Sequence, residues 1–224
     1  MSNFDDNKAQ KLARLTNTKG TTLSRNVYNL VMGLTVLWGV LLNYVIASMF
    51  GEQIVNIDYR ILLIGYLVTA TIFTIVIYKS NVPIVSFLGF TGLASVMGVL
   101  VAYIVSFFNQ VDIIHALVLT VIILGIMILL SCIFPSFFLS IGKTLGITLL
   151  IVIIVELISI LFGFHSGIFD FIVVGLFCGY IGYDFAKAQV YPPTLDNAID
   201  SAADIYVDIV NIFIRLLQIV GKNK

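Results

Sequence analysis

The chain has 224 residues, 60% of them hydrophobic and 11% charged, with a mean hydropathy of +1.09. An ordinary soluble domain carries roughly 25% charged residues, so an aqueous globular fold is excluded and the composition is that of an all-α integral membrane protein. Twelve basic and twelve acidic side chains cancel to zero net charge, which removes the general case for binding nucleic acid.

Residues 1–26 form a polar tail, and the first apolar run begins near Tyr28, so nothing there resembles a cleavable secretory signal. Residues 27–224 read as a single transmembrane helical domain. A bilayer core takes about 20 apolar residues per helix. Six runs of that kind follow in chain order, near 28–50, 61–78, 83–108, 113–133, 138–162 and 168–189. Short connections separate them: Gly51 to Arg60, Lys79 to Val82, Asn109 to Asp112, and the turn at Pro135.

Lys8, Lys11, Arg14, Lys19 and Arg25 in the tail predict a cytoplasmic N-terminus. Alternation then puts Lys79, Lys143 and Lys187 at cytoplasmic ends and Glu52, Asp58, Asp112, His165 and Asp170 at outer ends, with Arg60 the one misfit. The short tail and compact chain favour a bacterial plasma membrane. Cys132 and Cys178 both fall in apolar runs and read as small buried hydrophobes without a redox or metal role.

The seventh segment, 198–220, differs from the rest. Residues three and four apart share a helix face, so Asn197, Asp200, Asp204, Asp208, Asn211, Arg215 and Gln218 form one polar stripe. A carboxylate at mid-bilayer costs about 2.5–3.5 kcal/mol on insertion scales, so this stripe needs protein or water around it. The seventh helix is therefore expected inside the bundle, its stripe lining a cavity. Whether it crosses the bilayer or dips in and returns is left open by the charges at Lys222 and Lys224.

Asp196 or Asn197 reads as the N-cap of this helix, with Asp200 in the first turn, where the helix dipole favours an acid. Asp204 is intermediate. Asp208 lies ten residues beyond Ala198, about 15 Å into the helix, too deep for a cap and functional by default. Asp184 lies seven residues before Tyr191, about 10 Å from the end of the sixth run, so the two acids are expected to meet at similar depth. Two carboxylates close together in a partly dry site resist ionising together and tend to share a proton. Such a pair would act as a proton-sensitive latch, and its ionised oxygens would suit a hard cation such as calcium.

"GYIGYDFAKAQ", followed by the aspartate of "ADIYVDIVNIFIRLLQI", resembles the Bax inhibitor-1 family, the transmembrane Bax inhibitor motif proteins. Tyr206, Asp208, Asn211, Phe213, Leu216 and Leu217 match the pattern of that family's last span, and Asp184 matches the acid that ends its sixth. "FLGFTGLASVMG" is similar, more weakly, to the third span. The resemblance implies a seven-helix bundle with six helices around a central C-terminal helix. It also implies a pH-sensitive calcium leak, with Asp184 and Asp208 as sensor and gate and as transient calcium ligands.

A basic residue near the end of the second span engages the acidic pair in some relatives, and Lys79 is the nearest candidate here. Arg215, on the stripe itself, is the other candidate basic partner. Where many relatives have a charged loop between the fourth and fifth spans, this chain has "IFPSFFLSIGK". Glu156, within the fifth span, matches no family motif. It is expected to face the cavity with Asp204 and Asn211 and help cations through, to pair with Lys143 or Arg215, or to lie near the outer headgroups.

Several functions compete. The first is a passive calcium-permeable channel in the bilayer, with calcium and protons as its small partners. The second is regulation of a membrane protease or other membrane complex through protein contacts, since bacterial relatives are associated with a protease complex. The third is a proton-coupled cation exchanger using the same two acids. An enzyme is not expected: no zinc-ligand spacing, nucleophile elbow or phosphate loop occurs, and no resident cofactor is implied.

Overall fold

The computed structural model describes residues 22–162 and 167–221. The expectations attached to Lys8, Lys11, Arg14, Lys19, His165, Lys222 and Lys224 lie outside the described residues. Among those described, seven helices follow one another: α1 (Arg25–Ile54), α2 (Tyr59–Lys79), α3 (Pro83–Val105), α4 (Gln110–Ile133), α5 (Pro135–Phe162), α6 (Gly167–Val190) and α7 (Leu195–Gly221). The only extended pairing among them is an isolated bridge between Thr22 and Thr194.

Local chemistry marks where these helices begin. The Ser24 side chain accepts from the Val27 N–H, and Asp58 accepts from the N–H groups of Arg60 and Ile61. Pro83 opens α3 and Pro135 opens α5, positions where a missing N–H costs nothing. Asn109 accepts from the Asp112 N–H at 2.9 Å, while its amide nitrogen donates to the Asp112 carboxylate at 2.6 Å. Each such cap satisfies a backbone donor that the helix itself leaves open.

α1 to α6 are each long and apolar enough to cross a bilayer, which makes this an integral membrane protein. α7 is different. It runs uninterrupted for 27 residues, about 40 Å at 1.5 Å per residue, so it does not dip in and return. Leu195 is its one exposed residue. A helix carrying this many acids is therefore enclosed by protein along its length, as the polar stripe requires.

Three sequence-based expectations need correction. The N-cap of α7 is Thr194, whose hydroxyl accepts from the Asn197 N–H at 3.2 Å, in place of Asp196 or Asn197. Asp196 sits in the first turn and accepts from the Ser86 hydroxyl at 2.7 Å, which leaves Asp200 a turn further in. Cys132 is exposed and Cys178 half-buried, because apolar residues of a membrane helix can face lipid as readily as protein.

The chain divides into two compact units, the described parts of Met1–Phe107 with Ala188–Tyr206, and of Phe108–Lys187 with Val207–Lys224. In the first, Tyr206 is completely buried, its ring edge-on to Phe90 at 5.3 Å. Gly39 makes room for it: a Cβ there would stand 2.7 Å from the Tyr206 ring. Arg25 donates to the carbonyl oxygens of Ala188 and Tyr191, satisfying acceptors that the end of α6 leaves open.

In the second unit α6 packs closely on α4 and α5. Ser131 donates to the Gly182 carbonyl at 2.7 Å, and a Cβ at Gly182 would run into the Phe138 ring. Gly142 likewise admits the Tyr183 ring. Gly182→Val is expected to destabilise this unit by about 1–3 kcal/mol through overpacking, measured by thermal unfolding in detergent; an unchanged midpoint would mean that Phe138 simply moves aside.

Candidate functional site

A cavity of about 280 Å³ lies within the second unit. α6 contributes Val173, Phe177 and Tyr180 to its wall, α7 contributes Asp208, Asn211 and Arg215, and α5 contributes Glu156. The spacing explains why. On α6, Asp170, Val173, Phe177, Tyr180, Asp184 and Lys187 succeed one another at three and four residues and share a face. The same rule stacks Asp208, Asn211 and Arg215 on α7.

Asp208 is 4% exposed, thirteen residues from the start of α7, or about 20 Å along it. One turn on, the Asn211 amide nitrogen donates to the Val207 carbonyl at 2.8 Å, which leaves its side-chain oxygen to present as an acceptor. Two turns beyond Asp208, Arg215 donates to Asp170 at 3.3 Å, to Glu156, and to Gln218 at 3.2 Å. Of the roles open to Glu156, the geometry combines two: it lines the cavity and it pairs with Arg215. Arg215 is thus engaged by Asp170 and Glu156.

Asp184 is buried and receives Lys187 Nζ at 2.5 Å, while Lys187 also lies over the Tyr183 ring, 5.1 Å from its centroid. The Tyr180 hydroxyl, on the cavity wall with Asp208, lies within electrostatic reach of both Asp184 and Asp208. In the first unit Asp204 accepts a hydrogen bond from the Tyr78 hydroxyl, and Lys79 is exposed in the last turn of α2. Among the described residues no three His, Cys, Asp or Glu side chains gather as a metal-holding cluster.

A family model described as "Inhibitor of apoptosis-promoting Bax1" matches residues 20–224, nearly the whole chain. The chain belongs to the Bax inhibitor-1 family. Similar to this Bax inhibitor-1 family protein are two uncharacterised proteins of Helicobacter pylori, from strains 26695 and J99. Each is 31% identical over 111 residues, covering 48% of this chain and 46% of the relative. The chain thus spans about half the length of the curated relatives it matches. No solved structure matches.

Four contacts of this Bax inhibitor-1 family protein escaped the sequence reading. Lys187 was placed only at a helix end, although its position three residues after Asp184 is a standard spacing for a helical ion pair. Tyr180, four residues before Asp184, carried the same signal. The Tyr78–Asp204 and Arg215–Asp170 contacts join residues 126 and 45 apart, and nothing local announces either.

Proposed function

We propose that this protein is a calcium-permeable leak in the membrane it spans, with a conductance set by pH through Asp184 and Asp208. The observation that carries the reading is the Asp208 carboxylate, buried on α7 at the wall of a cavity. An ionised group in that position is costly, so its retention favours a functional use. Asn211 and Glu156 add oxygen acceptors to the same wall, the ligand chemistry a hard cation prefers.

Asp184 and Asp208 act as the sensor in this reading. Protonating Asp184 weakens its pair with Lys187, and protonating Asp208 removes the charge that draws a cation in. The N-terminus is cytoplasmic and the membrane a bacterial plasma membrane, as the basic residues of the tail and the likeness to Helicobacter proteins suggest. The protein needs no catalytic group or resident cofactor for this work.

Calcium entry into dye-loaded liposomes holding the purified protein, scanned from about pH 6 to 8, tests the proposal. Expected is a calcium flux whose pH dependence is lost or displaced in both Asp184→Asn and Asp208→Asn. Folded protein that passes no more calcium than empty liposomes would overturn the leak and leave regulation of a membrane complex as the reading to pursue.

A further inference from the structure

We infer that Arg215 is the valence filter of the cavity, a tethered cation that hinders a divalent ion more than a monovalent one and that Glu156 partly offsets. The inference rests on the leak reading and deepens it by naming what sets ion preference.

Arg215 lines the cavity with Asp208, seven residues or about 10 Å further along α7. Its guanidinium is a fixed positive charge. Asp170, with only 3% of its side chain exposed, holds it from α6, and Glu156, at 36%, holds it from α5. The two acids have different consequences. Asp170 is buried and fixes where the guanidinium sits. Glu156 is the more exposed of the two, at the cavity wall, and offsets the positive contribution the guanidinium makes to the potential an approaching ion meets.

Coulomb energy scales with the charge of the ion, so a fixed guanidinium opposes calcium twice as strongly as potassium at the same distance. A purely structural Arg215 would treat the two ions alike. Gln218 accepts from the same guanidinium at 3.2 Å and adds no charge of its own.

The test compares calcium and potassium entry into liposomes holding the full chain, each read with its own dye at one pH. Arg215→Gln is expected to raise the calcium-to-potassium ratio about tenfold, and Arg215→Lys, which keeps the charge, to hold it within about twofold. Glu156→Gln is expected to lower the ratio several-fold. It leaves the Arg215–Asp170 pair in place, so it folds even if Arg215→Gln does not. The opposite signs carry the inference: ratios that stay unchanged, or move the same way in both variants, overturn it while the leak reading stands. A wild-type protein that passes neither ion overturns the leak reading and the filter together.

Discussion

Tyr206→Ala is expected to destabilise the first unit by about 3–5 kcal/mol, the range for truncating a fully buried aromatic side chain. The ring is completely buried, edge-on to Phe90, with Gly39 against one face. Its hydroxyl is held as well: the Asn43 amide oxygen accepts from it at 2.9 Å, with the amide nitrogen turned to the carbonyl oxygens of Gly39 and Ala94. Alanine would leave a cavity between α1, α3 and α7 and would orphan part of the Asn43 amide.

Tyr206→Phe separates the two contributions. It keeps the packing and removes one buried hydrogen bond, so a smaller loss of about 1–2 kcal/mol is expected. Thermal or denaturant unfolding in detergent measures both. A loss below about 1 kcal/mol for the alanine variant would mean that the helices close over the gap, and that Tyr206 does not anchor the unit.

The second large effect falls on Asp170. Removing one partner of a buried ion pair typically costs about 3–5 kcal/mol, because the other charge stays in place with less to balance it. Asp170 is 2% exposed and Arg215 largely buried, so Asp170→Ala is expected in that range. The loss should barely change with salt, since buried pairs are weakly screened. Asp170→Ala combined with Arg215→Met should recover part of it, because two apolar residues leave no stranded charge. A double variant as unstable as the sum of the single ones would show that Asp170 and Arg215 act separately.

These two sites differ in how far the sequence revealed them. Tyr206 belongs to a motif quoted from the last helix, yet nothing in the motif says that Gly39 and Phe90 receive its ring. Asp170 looked like an outer-end charge, and Arg215 like one polar residue in a stripe. Their pairing depends on α6 and α7 presenting matching faces, which is settled by packing between helices. Lys187 and Tyr180 were within reach of local reasoning, because helical spacing alone puts them beside Asp184.

The sequence by itself determined the class of this protein, its six apolar helices and the enclosure of the seventh. The physical reason is that the bilayer imposes a length and an apolarity on every span that short-range chemistry can meet, and it penalises an acidic stripe left in lipid. The apolar runs placed helix starts within a few residues, and the caps at Ser24, Asp58 and Asn109 and the prolines that open α3 and α5, seen in the structure, are equally local features. Only the tertiary structure decided which polar groups meet: Asp204 with Tyr78, Asp170 and Glu156 with Arg215, Asp196 with Ser86. It also decided which apolar residues are core and which face lipid, as Cys132 illustrates. Hydrophobicity separates core from surface in water; in a membrane both sides are apolar, and the distinction passes to shape, to small residues at close approaches and to the pairing of buried charges.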